Sequence, residues 1–292
     1  MFDDKMKEKI VPKRRILQKQ AGCKKVLLWY KLEKDKKNAN KSGSRNVRSV
    51  EIGARDINTL NKGEWLNDEV INFWMIYLQN DRLNRTVEYM TTFFYTSMLS
   101  QSVEAVDGYM NADVINKKMI FIPINQEHSH WSLLVVMNAS KIEDGIKYAN
   151  GNNAEKNKMK HKECPVIVAL DSLNTSFCRK SARLVRQWLE LKYGQLKKKK
   201  GTGNEKNKKF SAKSIPLITP NIPGQGDFVN CGVYCCMYMK CLHECFGNFK
   251  ITFGELNEKR YNNIEEVVNF DNPKDIKDLR KEMKNTINKL SK

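Results

Sequence analysis

Cys231 stands between a turn-forming stretch, Gly224-Gln225-Gly226-Asp227, and an apolar run that opens Gly232-Val233-Tyr234. This spacing puts a thiol at the start of a helix, where the partial positive charge of unpaired amides favours the thiolate, the form that attacks carbonyls. Gly232 beside it leaves room for a substrate backbone to approach. A thiolate nucleophile also needs an imidazole within hydrogen-bonding reach, a group that orients the imidazole, and donors for the oxyanion. His161 lies in a charged stretch, and His243 follows Cys231 on the same helix, about 18 Å further along its axis. That leaves His128 and His130, of which His130 is favoured because it directly precedes a strand that would fix its ring. Asp171 follows the apolar run Val166 to Leu170, and a carboxylate emerging from a sheet can hold an imidazole in one tautomer. Gln225, six residues before Cys231, could turn its side-chain amide toward a developing oxyanion.

The elements that must position these groups are legible around them. From Asp68 the apolar residues Val70, Ile71, Trp74, Met75 and Leu78 recur at helical spacing, with Asn67 or Asp68 near the N-cap. A further apolar segment runs from Met90 to Leu99. Met119 to Ile124 and Trp131 to Met137 read as strands around a polar turn, and Val166 to Leu170 as a third. Arg179 to Tyr193 has helical periodicity through Leu184, Trp188 and Leu191, and Ile215 to Ile218 suggests one more strand. A polar loop then leads to an amphipathic helix from Lys274, apolar at Ile276, Leu279, Met283 and Ile287. Helices at both ends around central strands indicate an α+β fold.

Hydrophobic residues make up 40% of the 292, enough for a sizeable core, and no run approaches the length of a membrane span. The charged opening, MFDDKMKEKI, lacks the apolar stretch of a secretory signal, so an intracellular, soluble protein is expected. The net charge of +19 invites a nucleic-acid reading, but residues 1–48 and 195–214 carry +18 of it. We therefore expect a basic, disordered N-terminal tail over 1–48, a folded domain over 49–292, and low-complexity insertions near 138–163 and 194–214. Nucleic acid could be met only through the tail, whose Lys13-Arg14-Arg15 cluster favours the nucleus over the cytoplasm. Within the tail, Val26-Leu27-Leu28-Trp29-Tyr30 could pack on the domain or dock a partner.

Eight cysteines in a reducing compartment argue against a disulfide framework. Cys235, Cys236, Cys241 and Cys245 lie near His243, but one helix spreads them around its circumference and cannot supply four tetrahedral ligands. Core packing is their expected role, with no metal and no cofactor.

His130-Trp131, then Leu170-Asp171-Ser172, then Gln225 through Cys231-Gly232-Val233-Tyr234 resembles the Ulp/SENP cysteine proteases, in that order along the chain. Trp65-Leu66-Asn67-Asp68, Ile122-Pro123-Ile124-Asn125 and the segment from Phe270 to Leu290 match as well, so the resemblance spans about residues 50–292. It implies a papain-like fold, with a central mixed sheet packed against the helix that carries the nucleophile. It further implies hydrolysis after the C-terminal diglycine of SUMO-type modifiers, either from conjugates or from precursors. In that frame Cys231 is nucleophile, His130 base and then acid, Asp171 its orienter and Gln225 an oxyanion donor. Trp65 and Trp131 would flank a slot that only glycine can enter, and Asp68 would meet the modifier's surface. The long insertions lean toward the Ulp2 branch, and the chain is expected to act as a monomer. One departure stands out: the family has Asn two residues after the Gln and Asp just before the Cys, whereas this chain has Asp227 and Asn230. Three other readings stay open: a protease for another ubiquitin-like modifier, a catalytically weak modifier-binding module, and a nucleic-acid-binding protein acting through its tail.

Overall fold

The computed structural model describes residues 26–27, 50–81, 86–127, 129–175, 178–201, 209–245, 250–270 and 274–290. The backbone of strand β1 (Val26–Leu27) pairs antiparallel with β2 (Glu51–Ile52). The rest of the expected tail, including Lys13-Arg14-Arg15, lies outside the described residues, as does His128. Helix α1 (Ala54–Asn58) and a loop lead to α2 (Asp68–Asp81). Asn67 caps α2: its Oδ1 accepts the Val70 amide at 3.2 Å, and its Nδ2 donates to Asp56 Oδ1 at 2.7 Å. Strand β3 (Val87–Tyr89) and helix α3 (Phe93–Ser100) follow, then the hairpin of β4 (Met119–Gln126) and β5 (His130–Met137).

Next come α4 (Ile142–Asn150) and α5 (Asn153–Met159), strand β6 (Val166–Leu170), the long helix α6 (Cys178–Lys199) and strand β7 (Leu217–Ile218). Helix α7 (Cys231–Glu244) carries the thiol, and α8 (Phe253–Glu258), α9 (Asn262–Val267) and α10 (Lys274–Leu290) complete the described chain.

Five strands form one mixed sheet in the order β3-β4-β5-β6-β7, antiparallel at its centre and parallel at both edges. Side chains alternate across a strand, so each central strand feeds two cores. Phe121, Leu133, Val135 and Val168 face the core shared with α2, α7 and α10. Ile120, Ile122, Leu134, Val136 and Ile167 face the other, which α3 and α6 close. Burial on both faces explains why these strands read as continuous apolar runs.

The stretch 138–163, where composition indicates a low-complexity insertion, is helical and packed. Tyr148 of α4 stacks on Phe253 with ring centroids 4.1 Å apart. The Asn152 side chain accepts the Glu155 amide at 3.0 Å, and Glu155 accepts the Asn152 amide at 2.8 Å, a capping box that starts α5. In the second expected insertion α6 continues beyond Tyr193 to Lys199, because Leu196 prolongs its buried stripe. Phe210 packs edge-on against Tyr193, and residues 202–208 lie outside the described residues. Among the described residues no helix is long and apolar enough to cross a membrane.

Candidate active site

Antiparallel pairing sets Leu133 opposite Leu170, so Asp171, one residue past the end of β6, emerges beside the start of β5 where His130 stands. His130 Nε2 lies 2.6 Å from Asp171 Oδ1. Helix α7 packs across β5, and its first residue, Cys231, comes within hydrogen-bonding reach of the same imidazole. With Nε2 held by the carboxylate, Nδ1 is the nitrogen left for the thiol. Sulfur, ring and carboxylate thus stand in line, on or at the end of buried elements; His130 and Asp171 are both 8% exposed and Cys231 is 4% exposed.

Two opposing effects act on His130. Burial disfavours its charged form, but hydrogen bonds and charges from Asp171 and Cys231 outweigh that and carry its pKa to about 9. Burial alone would push the Asp171 carboxyl up. Hydrogen bonds from His130, from the Thr175 hydroxyl (2.5 Å) and from the amides of Leu173 (3.0 Å) and Thr175 (2.9 Å) hold it below its ordinary range instead. Thr175 is a site residue that sequence reasoning missed; a threonine in a polar turn carries no signal of its own. It also reaches Gln126 Oε1 at 3.4 Å, extending the network behind the carboxylate.

Gln225 is tied to the residue after Asp171: its amide donates to the Ser172 carbonyl at 2.9 Å, and its Oε1 accepts the Ser172 hydroxyl at 2.5 Å. One hydrogen of its Nε2 goes to the Asp227 carbonyl at 2.6 Å, which leaves the second hydrogen of that amide for an oxyanion. Tyr234 and Tyr238 of α7 donate to the carbonyls of Gly224 (3.1 Å) and Pro223 (2.6 Å), fixing the turn that presents Gln225.

Trp131 is buried and donates from its indole nitrogen to the Leu66 carbonyl at 3.1 Å, while Trp65 is 52% exposed. Trp131 thus packs against the segment of Leu66, the residue that follows Trp65 in the chain. A Cβ added at Gly232 would lie 2.9 Å from Leu66 Cβ and 3.2 Å from Trp131 Cδ1, so the glycine is required for close packing at this wall. Gly232→Ala is expected to crowd Leu66 and Trp131 and to lower stability by about 1–3 kcal/mol, measured by thermal unfolding. Asp68, half-buried in the first turn of α2, shares an acidic corner with Asp56 and Glu69 and does not join the line of Cys231, His130 and Asp171.

The remaining cysteines of α7 take other positions. Cys235 and Cys236 are buried, and burial pushes both thiols well up. His243, at the far end of the helix, meets the Tyr89 hydroxyl at 2.7 Å through Nδ1.

The profile of the Ulp1 protease family, C-terminal catalytic domain, matches residues 64–287. Ubiquitin-like-specific protease 2 of Schizosaccharomyces pombe is 24% identical over 225 residues, 68% of this chain and 34% of that protein. Ubiquitin-like-specific protease 1 of Saccharomyces cerevisiae is 36% identical over 96 residues, 31% of this chain and 15% of that protein. The chain thus spans about a third or less of the length of these relatives. A solved structure described as a de-sumoylating protease superposes with a TM-score of 0.59 at 18% identity, covering 91% of each chain, which shows a shared fold. With a papain-like α+β architecture and a family match over most of its length, the chain belongs to the Ulp1 protease family of cysteine peptidases.

Proposed function

We propose that this protein hydrolyses the bond after the C-terminal diglycine of SUMO-type modifiers, releasing them from lysine side chains or maturing their precursors. The observation that carries this reading is the line of Cys231, His130 and Asp171, with Nε2 and Oδ1 2.6 Å apart, beside a wall where Trp131, Leu66 and Gly232 meet. The Cys231 sulfur attacks the carbonyl carbon of the terminal glycine, and the second Nε2 hydrogen of Gln225 stabilises the oxyanion. The C–N bond then breaks as His130 gives its proton to the departing amine, leaving a thioester. Water attacks the thioester with His130 as base, which frees the modifier's carboxylate and restores the thiol. Glycine has no side chain, so a slot between Trp65 and Trp131 admits a diglycine tail and excludes larger residues. Asp68 faces the modifier's surface. The relatives' names, ubiquitin-like-specific proteases, support the substrate class, and the match to protease 2 supports the Ulp2-like lean.

A panel of ubiquitin-like modifiers bearing a C-terminal vinyl sulfone tests this reading. A stable adduct with the SUMO-type probe is expected, lost in Cys231→Ala and weak with the other modifiers. Preferential labelling by another modifier would reassign the substrate. The exchange of Asp227 and Asn230 favours one second reading, a modifier-binding module with a weak thiol; it predicts binding of the probe without an adduct.

A further inference from the structure

Arg280 sits on the apolar stripe of α10, between Leu279 and Met283, and is only 7% exposed. A buried guanidinium needs all five N–H groups satisfied, and all five are. Nε and Nη2 donate to Asn230 Oδ1 at 3.0 and 2.8 Å. Nη2 also donates to the Glu64 carbonyl at 2.8 Å, and Nη1 to the carbonyls of Thr59 and Asn61 at 2.9 and 3.3 Å. The acceptors fall into two groups. Three are carbonyls of the loop that leads straight into Trp65 and Leu66, and the fourth is the side chain immediately before Cys231. One cation therefore ties the loop before Trp65 and Leu66 to the start of the Cys231 helix.

None of these acceptors carries a charge. A carboxylate is reached through Asn230, whose Nδ2 donates to Asp227 Oδ2 at 2.7 Å. The other oxygen of Asp227 accepts the amides of Val229 and Asn230, both at 2.8 Å. The order is guanidinium, carboxamide, carboxylate, so the negative charge stands one side chain further from Cys231 than an aspartate at position 230 would place it. A guanidinium that needed only solvation could use carbonyls of any segment; this one joins two segments that pack closely where Gly232 meets Leu66, beside Cys231.

We infer that Arg280 is the positioning residue that sets the gap between the Trp65–Leu66 wall and the start of the Cys231 helix, with Asp227 as its counter-charge relayed through Asn230. This rests on the diglycine-hydrolase reading for its consequence in turnover, while its structural part stands alone.

The test uses the full chain and three readouts. In Arg280→Gln, amide exchange in residues 59–66 and 227–234 is expected to rise together by about tenfold or more, with β6 unchanged. On a SUMO-type modifier ending in an aminocoumarin amide, kcat is expected to fall about 10²-fold, with KM within about threefold because the modifier's body binds elsewhere. Alkylation of Cys231 by iodoacetamide is expected to stay within about twofold. Asn230→Asp sets two carboxylates in contact and is expected to reduce kcat about tenfold. Asp227→Asn/Asn230→Asp restores the amide-to-carboxylate pair in reverse and is expected to recover kcat to within about threefold.

Unchanged exchange in both segments overturns the inference, as does a raised KM at constant kcat, or alkylation that falls in step with hydrolysis. Failure of the double exchange to rescue overturns the assignment of the counter-charge. If the unaltered protein hydrolyses no modifier probe, the substrate reading has failed by itself. Amide exchange in Arg280→Gln and in the exchanged pair then still decides on Arg280. Should Arg280→Gln not fold, Arg280→Lys keeps the charge but lacks the fork, and at least one of the two segments must loosen.

Discussion

Cys231→Ser is expected to reduce turnover of a diglycine-ended modifier substrate by a factor on the order of 10⁴–10⁶ while leaving the dissociation constant for the modifier unchanged. The substitution removes only the sulfur. The hydroxyl that replaces it stands at the same helix start, beside the same ring, but is a far weaker nucleophile near neutral pH. The proposed slot, Gln225 and Asp68 are left as they are, so binding is expected to survive. Single-turnover hydrolysis and calorimetric titration of the same preparation check the two halves. A serine variant that still cleaves at more than about a hundredth of the original rate would remove Cys231 from the chemistry.

Asp171→Asn is expected to lower kcat by about 10³–10⁴-fold, because a carboxamide can present the ring in the wrong tautomer and cannot stabilise the imidazolium. A pH profile adds a signature that lost packing would not produce. In the unaltered site the imidazole holds its proton up to about pH 9, so the alkaline limb of kcat/KM belongs near that value. Removing the carboxylate removes a cause of the elevation, so in Asp171→Asn the limb moves to lower pH. Stability follows the same proton. Folding lifts His130 from 6.5 to about 9, so between those values the folded chain keeps a proton that the unfolded chain has released. This contribution is full below pH 6.5 and is gone once pH has risen through about 9. Thermal melts across that window should show the decline, and Asp171→Asn should flatten it.

Much of the site is legible in the sequence because each main group sits where a pattern changes. Cys231 marks the switch from turn residues to a helical apolar run, His130 the residue just before the stretch Trp131 to Met137 that reads as a strand, and Asp171 the first polar residue after one. Such boundaries are local, and local patterns predict them. Arg280 is different. Its helix shows apolar residues at Ile276, Leu279, Met283 and Ile287, and position 280 falls on the same face. A lone arginine inside such a stripe is a signal that it is buried, but nothing nearby says that its partners lie more than two hundred residues earlier, at Thr59 and Asn61. The helices α4 and α5 were hidden for another reason. Their Asn, Lys and Gly content argues for loop, and tertiary contacts such as Tyr148 on Phe253 override it. The pair Asn152 and Glu155 was the one readable mark of a helix start there.

The bridge from α10 also has a consequence for how the protein is made. Translation delivers His130, Asp171 and Cys231 before it delivers Arg280, which follows the thiol by 49 residues. At ribosomal speeds the interval is roughly 2–10 s. During it a nascent chain can hold all three reacting groups without the tie between the Leu66 segment and the start of the Cys231 helix, so full turnover is expected only once the late helix docks.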